Sequence, residues 1–307
     1  MKISTSLYFD RSTQQLSTVQ SNLAKTQEQL STGKNIVKPS DAPDKAALVT
    51  RLQSELSRNT SYQDTLKSAN VRLTSEETAL KNTSDVLYRI KELAVQGANA
   101  TLSPQDRQSV ALEMKGLREQ IMGLANSQDS NGNFLFSGSR TGQPAFAQDA
   151  TGRVVYQGDQ SRMKVNVGDN RRMNLNMPGS DAFVRVTRTD EKGAQTGVDF
   201  FQSLDDLANA VSSGDMSKVQ RGIAEVDGLQ NGISNGLAQV GSDLSVVDLQ
   251  TSVLDEVVLR LKTTQSDVED LDYTSAITKM NKDQLALEAA QSSFSKISQM
   301  SLFKFIN

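Results

Sequence analysis

Between Val219 and Val268 the apolar residues recur at alternating steps of four and three. The series is Val219, Ile223, Val226, Gln230, Ile233, Leu237, Val240, Leu244, Val247, Thr251, Leu254, Val258, Leu261, Gln265 and Val268, and only Gln230, Thr251 and Gln265 are polar. A mean spacing of about 3.5 residues keeps one narrow stripe on one helix face, the seam of a coiled coil. No proline interrupts the series, so it predicts one helix of roughly 75 Å at about 1.5 Å per residue. Such a helix cannot bury its own stripe. A second series lies earlier in the chain: Leu52, Asn59, Leu66, Leu73, Leu80, Leu87 and Ala94 on strict sevens, with Tyr62, Ala69, Thr83 and Ile90 three residues on. It predicts a second long helix, from about Ala42 to Gly97. The two helices are expected to lie side by side, so that the chain leaves along one and returns along the other.

Shorter helices flank this pair. Phe9, Leu16, Val19, Leu23 and Leu30 keep the seam spacing, with Ser12 and Thr26 in the remaining slots. Gly33 suits a left-handed cap at the end of this first helix. An extended loop follows, from Lys34 to Ser40, in which Pro39 stiffens the chain. Asp41 or Ser40 is placed to cap the long helix, and Pro43 fits its first turn, where a missing N–H costs nothing. After Gly97 the motif Ser103-Pro104-Gln105-Asp106 reads as an N-cap with a capping box. Val110, Met114, Leu117, Ile121 and Leu124 then predict a third helix to about Ser127. At the other end, Ile277, Met280, Leu287, Phe294 and Ser301 keep the seam spacing from Tyr273 to Asn307. Leu285, Ile297, Met300, Leu302, Phe303, Phe305 and Ile306 add further apolar bulk.

Between the third helix and the return helix the period changes. Asn133-Phe134-Leu135-Phe136-Ser137-Gly138 reads as a strand leaving the Asn131-Gly132 turn. Turn pairs then alternate with short runs around Val154 and Tyr156, Met163 to Val167, Met173 to Met177, and Phe183 to Val186, which predicts a small antiparallel β domain. A short turn is expected to be able to replace it. Asp199 is placed to cap a short helix, Phe200 to Val211. Within the return helix Gly228, Gly232 and Gly236 repeat every fourth residue, each costing about 1 kcal/mol of helix propensity relative to alanine. Either they let a neighbouring backbone approach, or they leave a bendable turn.

The fold class is therefore mainly α with a small β insertion. N- and C-terminal segments form an antiparallel helical coiled-coil rod that carries an outer antiparallel β domain. Three parts are expected: residues 1–40 with 273–307 as a terminal helical assembly domain, 41–138 with 199–272 as the rod, and 139–198 as a variable outer domain. The two terminal helices carry more apolar surface than one pairing covers, which marks assembly elements; the alternative is that they only pair with each other. The candidate assembly interface is Leu16, Val19, Leu23, Leu30, Ile277, Met280, Leu287, Phe294, Ile297, Leu302 and Phe303. Without partners these helices are expected to fray outside about Asp41 to Asp272.

Composition removes most chemistry. The 307 residues contain no cysteine, tryptophan or histidine. Thiol nucleophiles, disulfides and the usual general base and metal ligand are thereby excluded. A net charge of −3 leaves no basic footprint for nucleic acid. No apolar run is long enough for a membrane span, and the N-terminus shows no Sec-type signal. Asp129, Asn131 and Asn133 resemble the start of a calcium loop. However, Gly132 stands at the fourth position rather than the sixth, and Arg140 stands in place of the closing glutamate. The carboxylates read as solvated helix faces. No catalytic constellation, cofactor site or metal site is expected, and the chain is not expected to be an enzyme.

Leu30-Ser31-Thr32-Gly33-Lys34, Val37, Pro39-Ser40-Asp41-Ala42-Pro43 and Ala46 resemble the helix–loop–helix near the N-terminus of the flagellin superfamily. The two prolines around Ser40-Asp41 are similar to its hook–filament junction branch rather than to filament flagellin. Thr101-Leu102-Ser103 with Asp106-Arg107, the run Asn131 to Gly138, Tyr156-Gln157-Gly158-Asp159 and the ending Gln299-Met300-Ser301-Leu302-Phe303 agree with that branch. The likeness covers residues 1–138 and about 220–307 well and the β excursion loosely.

The resemblance implies a structural protein of the bacterial flagellum, exported unfolded by the flagellar type III apparatus and joining hook to filament. It implies as partners further copies of the chain in a ring or tube, an adjacent junction protein, flagellin, and a cytosolic export chaperone on the C-terminal helix. It also implies that Gly33, Pro39, Ser40, Asp41 and Pro43 form the junction loop. Filament flagellin is the nearest alternative. A type III translocator or tip protein would need a long apolar hairpin, which is absent.

Overall fold

The computed structural model describes the backbone of residues 2–99, 101–189 and 195–306; side chains are described except those of residues 2–6, 8 and 297–306. The helices are α1 (Lys2–Thr32), α2 (Pro43–Gly97), α3 (Pro104–Ala125), α4 (Gly179–Ala182), α5 (Phe200–Ser213), α6 (Met216–Glu269) and α7 (Tyr273–Ile306). The strands are β1 (Phe146–Gln148), β2 (Val154–Tyr156), β3 (Lys164–Gly168), β4 (Arg171–Asn174), β5 (Val186–Thr189) and β6 (Gln195–Val198). The chain is mainly helical with small antiparallel sheets, as its periodicity predicts.

It divides into two compact units, residues 1–59 with 256–307, and residues 60–255. These boundaries differ from the expected ones. Residues 43–59 of α2 and 256–269 of α6 group with the terminal helices, and residues 139–198 group with the remainder of the long helices.

In the unit of residues 60–255, α2 and α6 run antiparallel. Lys91 Nζ lies 2.5 Å from Asp227 Oδ1, Gln230 Nε2 donates to Ser84 Oγ at 2.5 Å, and Gln63 Nε2 donates to Asp255 Oδ1 at 2.6 Å. Leu66, Leu73, Leu80 and Leu87, the strict sevens of α2, are fully buried, as are Val219, Val226, Ile233, Val240 and Val247 of α6. Gln230 breaks the α6 stripe without cost to its amide nitrogen, because Ser84 accepts its hydrogen bond. Ser103 caps α3 as predicted, its Oγ accepting from the Asp106 amide at 3.2 Å. The Asp106 carboxylate accepts from that hydroxyl instead of from a backbone amide. α3 packs on α5, where Arg118 donates to Asp205 at 3.0 Å and its guanidinium lies 5.4 Å from the centroid of the Phe201 ring.

Gly228, Gly232 and Gly236 of α6 are explained by close approach. A Cβ at Gly232 would stand 2.5 Å from Val184 Cγ2 and 3.0 Å from the Ala182 carbonyl, and one at Gly236 3.2 Å from Ala182 Cβ. The α4 region thus presses directly on the helix. Gly232→Ala is therefore expected to lower the melting temperature despite about 1 kcal/mol of helix propensity in its favour. Gly241→Ala, whose Cβ meets nothing within 4 Å, is expected to raise it. Equal shifts in the two melting curves would show that the contact at Gly232 is slack.

The β segment differs from a single small domain. Among the described residues its strands pair as three separate two-stranded sheets, β1–β2, β3–β4 and β5–β6. Their apolar residues do not make a core of their own. Phe146, Val154, Val167, Met173, Met177, Phe183 and Val186 join the same buried cluster as Leu80, Leu87, Phe201 and Ile233. A turn cannot replace residues 139–198 without uncovering that cluster.

Residues 133–138 form no strand, only a bridge between Phe134 and Gln128. Leu135, Phe136 and Ser137 are buried in succession, not alternately as in a strand with one solvated face. Their carbonyls are satisfied from outside: Leu135 O by Arg72 at 2.9 Å, and Phe136 O by the Gly179 amide at 2.8 Å and the Tyr156 hydroxyl at 2.9 Å. Asp199 occupies the N-cap position of α5 but makes no capping bond, because Arg185 Nε donates to its carboxylate at 2.5 Å. The carboxylates are not all solvated faces: Glu76, Glu225 and Glu269 are buried. Glu225 takes two 2.7 Å hydrogen bonds from Arg188.

Asp129 does not hold a calcium-type loop open. Its carboxylate accepts from the Asn131 and Asn133 amides at 2.8 and 3.0 Å and pairs with Arg72 at 3.2 Å. Burial raises its pKa, but these hydrogen bonds outweigh it and hold the group below the ordinary carboxylate range.

Candidate functional site

The terminal helices and the loop that joins them to α2 all lie in the unit of residues 1–59 and 256–307. α1 packs along α7. Their directions are opposed: Gly33, just past the end of α1, meets the Tyr273 hydroxyl at the start of α7. Nearer the other end, the rings of Phe9 and Phe294 meet tilted, 5.0 Å between centroids.

Two helices alone bury little. Leu16, Val19, Leu23 and Leu30 of α1 and Met280, Leu287 and Phe294 of α7 are half-buried, and none is fully enclosed. Ile277 is 46% exposed, Leu285 69%, Leu7 50% and Phe9 42%. The fully buried side chains described on this pair are Thr26, Gln29 and Ala276. Ile297, Leu302 and Phe303 belong to α7, and their side chains lie outside the described residues.

The loop is held by the break between α6 and α7. Gly33 is left-handed at φ +69°, so its conformation favours glycine, and a Cβ there would stand 2.8 Å from Tyr273 Oη. The Asn35 amide donates to Glu269 O at 2.7 Å and the Leu271 amide to Gly33 O at 3.0 Å. Lys34 and Asp270 are thus bridged as neighbours in a one-residue antiparallel ladder.

Lys34 Nζ lies 2.5 Å from the Glu269 carboxylate. That hydrogen bond, together with one from Gln265, holds the Glu269 pKa below its ordinary value against the opposing effect of burial. Gln29 Nε2 donates to Asn35 O at 2.6 Å.

Pro39–Asp41 form a 3₁₀ turn, and Pro43 begins α2 as predicted. Asp41 serves the 3₁₀ turn rather than α2. Its carboxylate accepts from Lys25 Nζ at 2.7 Å and from the Lys38 amide at 3.1 Å, which lowers its pKa. Pro39, Ser40 and Pro43 are exposed.

Of the predicted loop residues, Gly33 lies against residues 269–273, whereas Asp41 is held by Lys25 and Lys38. Sequence reading missed the clasp residues Lys25, Gln29, Lys34, Asn35 and Tyr273. Lys34 and Glu269 are 235 positions apart, and no local pattern pairs them. Lys25 stands 16 residues before Asp41, a separation that only the turn itself makes short. None of these groups forms a catalytic arrangement, and among the described residues no cluster of metal-ligating side chains is present.

Paired terminal helices, a clasped loop and a β-bearing segment between two long helices define a flagellin-type structural chain. The sequence matches the bacterial flagellin N-terminal helical region over residues 3–141 and the bacterial flagellin C-terminal helical region over residues 223–306. It is 30% identical to flagellar hook-associated protein 3 of Salmonella typhimurium, over 99% of each chain. It is 24% identical to flagellin of Listeria monocytogenes, over 97% of this chain and 96% of that one. The fold matches a crystal structure of Xanthomonas campestris FlgL with a TM-score of 0.62, covering 71% of this chain and 99% of that chain at 22% identity. The chain belongs to the flagellar hook-associated protein 3 family and is a structural component of the flagellum.

Proposed function

We propose that this chain is a hook–filament junction subunit that polymerises as a ring between hook and filament. The observation that supports this reading most directly is the apolar surface left on α1 and α7 after they have paired. Half-buried Leu16, Leu23, Leu287 and Phe294 and exposed Leu285 are what a subunit offers to copies of itself and to the next protein along the axis. In this reading residues 1–40 and 273–307 line the inner tube, 41–138 with 199–272 form the surrounding helical layer, and 139–198 face outward. Gly33, Pro39, Ser40, Asp41 and Pro43 set the turn between the first two. The partners are an adjacent junction protein on the hook side, flagellin on the other, and an export chaperone that covers α7 before secretion. Location in the extracellular flagellum completes the reading. Among the described residues no helix is long and apolar enough to cross a membrane.

Pro39 and Pro43 favour the junction over the filament. A strain lacking the chain is expected to build hooks yet shed flagellin monomers into the medium, and to regain filaments on complementation. Intact filaments in that strain would overturn the proposal, and loss of the monomers themselves would assign the chain to the filament.

A further inference from the structure

The β5–β6 hairpin borders a groove of about 440 Å³. One wall is residues 185–189, and the other is Arg221, Ala224, Glu225 and Gly228 of α6. Consecutive residues of β5 line it, not alternate ones, so the groove runs along an edge of the strand and not across one face. β6 lies outside the lining, because it pairs with β5 on the other edge, from Val186 with Val198 to Thr189 with Gln195.

The edge of β5 that faces the groove is therefore the unpaired one. In an antiparallel pair every second residue turns its N–H and C=O away from its partner strand. Among the described residues, none of these groups on β5 takes a backbone hydrogen bond from outside the hairpin. An edge left open in this way can accept one more strand. Ala224 and Gly228 put no bulk into the space beside it.

The walls are cationic, with three guanidinium groups against one carboxylate. Arg188 is fully committed. It donates to both oxygens of Glu225 at 2.7 Å and to Asp206 at 2.6 Å, so Glu225 meets its own counter-charge and repels an incoming anion little. Arg221 is not committed. Its Nε lies 3.5 Å from the Glu225 carboxylate and completes no hydrogen bond, and the side chain is only half-buried. Arg185 gives its Nε to Asp199 at 2.5 Å and is otherwise exposed.

We propose that this groove receives an extended acidic segment of another protein chain, which adds to β5 as a third strand. Five residues of extended chain span roughly 17 Å, the length of the wall formed by residues 185–189. Main-chain hydrogen bonds to the open edge hold the segment. Its side chains alternate between the two faces, so that carboxylates reach Arg221 on the helix wall and Arg185 on the far side of the strand, while small apolar side chains settle on Ala224 and Gly228. A basic segment of the same shape is repelled.

The test uses the full chain and a labelled, end-capped five-residue peptide that alternates glutamate and valine, followed by fluorescence anisotropy at low salt. Saturable binding is expected, with none for the lysine–valine counterpart. Arg221→Gln is expected to weaken binding at least about tenfold, the loss of one charge-assisted hydrogen bond, with the melting temperature unchanged. Two further peptides keep every charge and side chain but carry N-methyl groups on one or the other alternate set of nitrogens. One set is expected to abolish binding and the other to spare it, since only one set faces β5. Amide exchange within residues 185–189 is expected to slow when the acidic peptide is bound. No binding, equal binding of the acidic and basic peptides, or an unchanged affinity in Arg221→Gln would overturn the groove as an acidic-segment site. Equal effects of the two methylated sets would overturn strand addition.

Discussion

Phe183→Ala is expected to destabilise the unit of residues 60–255 by about 3–5 kcal/mol, the cost of emptying a well-packed aromatic site. Phe183 is almost fully buried, and its ring meets four others. The centroid distances are 5.5 Å to Phe136, 5.2 Å to Phe146, 5.2 Å to Phe200 and 6.4 Å to Phe201. These rings come from the buried 134–138 segment, β1 and α5, so the void would open where three separate parts of the chain converge. Neighbours that carry rings cannot close it without leaving their own contacts. Thermal melting is the measurement, with Leu112→Ala as control, because Leu112 is 72% exposed and its loss should change stability by less than about 0.5 kcal/mol. Deletion of residues 139–198 should act in the same direction and more strongly, since it removes Phe146, Met173, Met177 and Phe183 from the cluster together. A Phe183→Ala chain that melts with the native one would show that the cluster is not a cooperative core.

The long helices were legible because a repeat held over fifty residues admits one helical reading. Leu66, Leu73, Leu80 and Leu87 are buried as their spacing requires. Residues 139–198 offered only short alternating runs. Such runs locate strands within a few residues, but carry no information about which strand pairs with which, or whether their apolar faces turn inward on each other or onto a helix. Gly232 and Gly236 held that second answer: the repeated glycines mark where residues 177–184 press in, with the Ala182 carbonyl 3.0 Å from a Cβ at Gly232. Glu76 was not legible: carboxylates on a helix read as solvated faces, yet this one fills a seam position and is buried. Its neighbours in the series are Ala69 and Thr83, both fully buried. The clasp at the junction loop was not legible. Lys34 and Glu269 are 235 positions apart, and nothing local in either segment encodes the other.

Replacing Leu287 and Phe294 together by aspartate is expected to abolish incorporation at the hook end while leaving residues 60–255 folded. Both residues are only half-buried on α7, and Phe294 has the Phe9 ring as its aromatic neighbour in the isolated chain. The substitutions therefore remove a modest share of intramolecular packing. In an assembly that covers the remaining surface, each native side chain is worth roughly 1.5–3 kcal/mol when fully enclosed, and each aspartate would add a buried unpaired charge on top of that loss. Repeated at every subunit of a ring, the penalty multiplies, so the expected outcome is no detectable junction rather than a weakened one. Melting of the purified chain should stay within a few degrees of native, because the hydrophobic cluster from Leu66 to Leu254 is untouched. Binding of the export chaperone should weaken in the same variant if the same face is shielded before secretion. The conservative pair Leu287→Met and Phe294→Leu, which keeps apolar bulk, should assemble. Normal assembly of the aspartate variant, or collapse of the 60–255 unit, would place these residues in the monomer's own core and remove α7 from the interface.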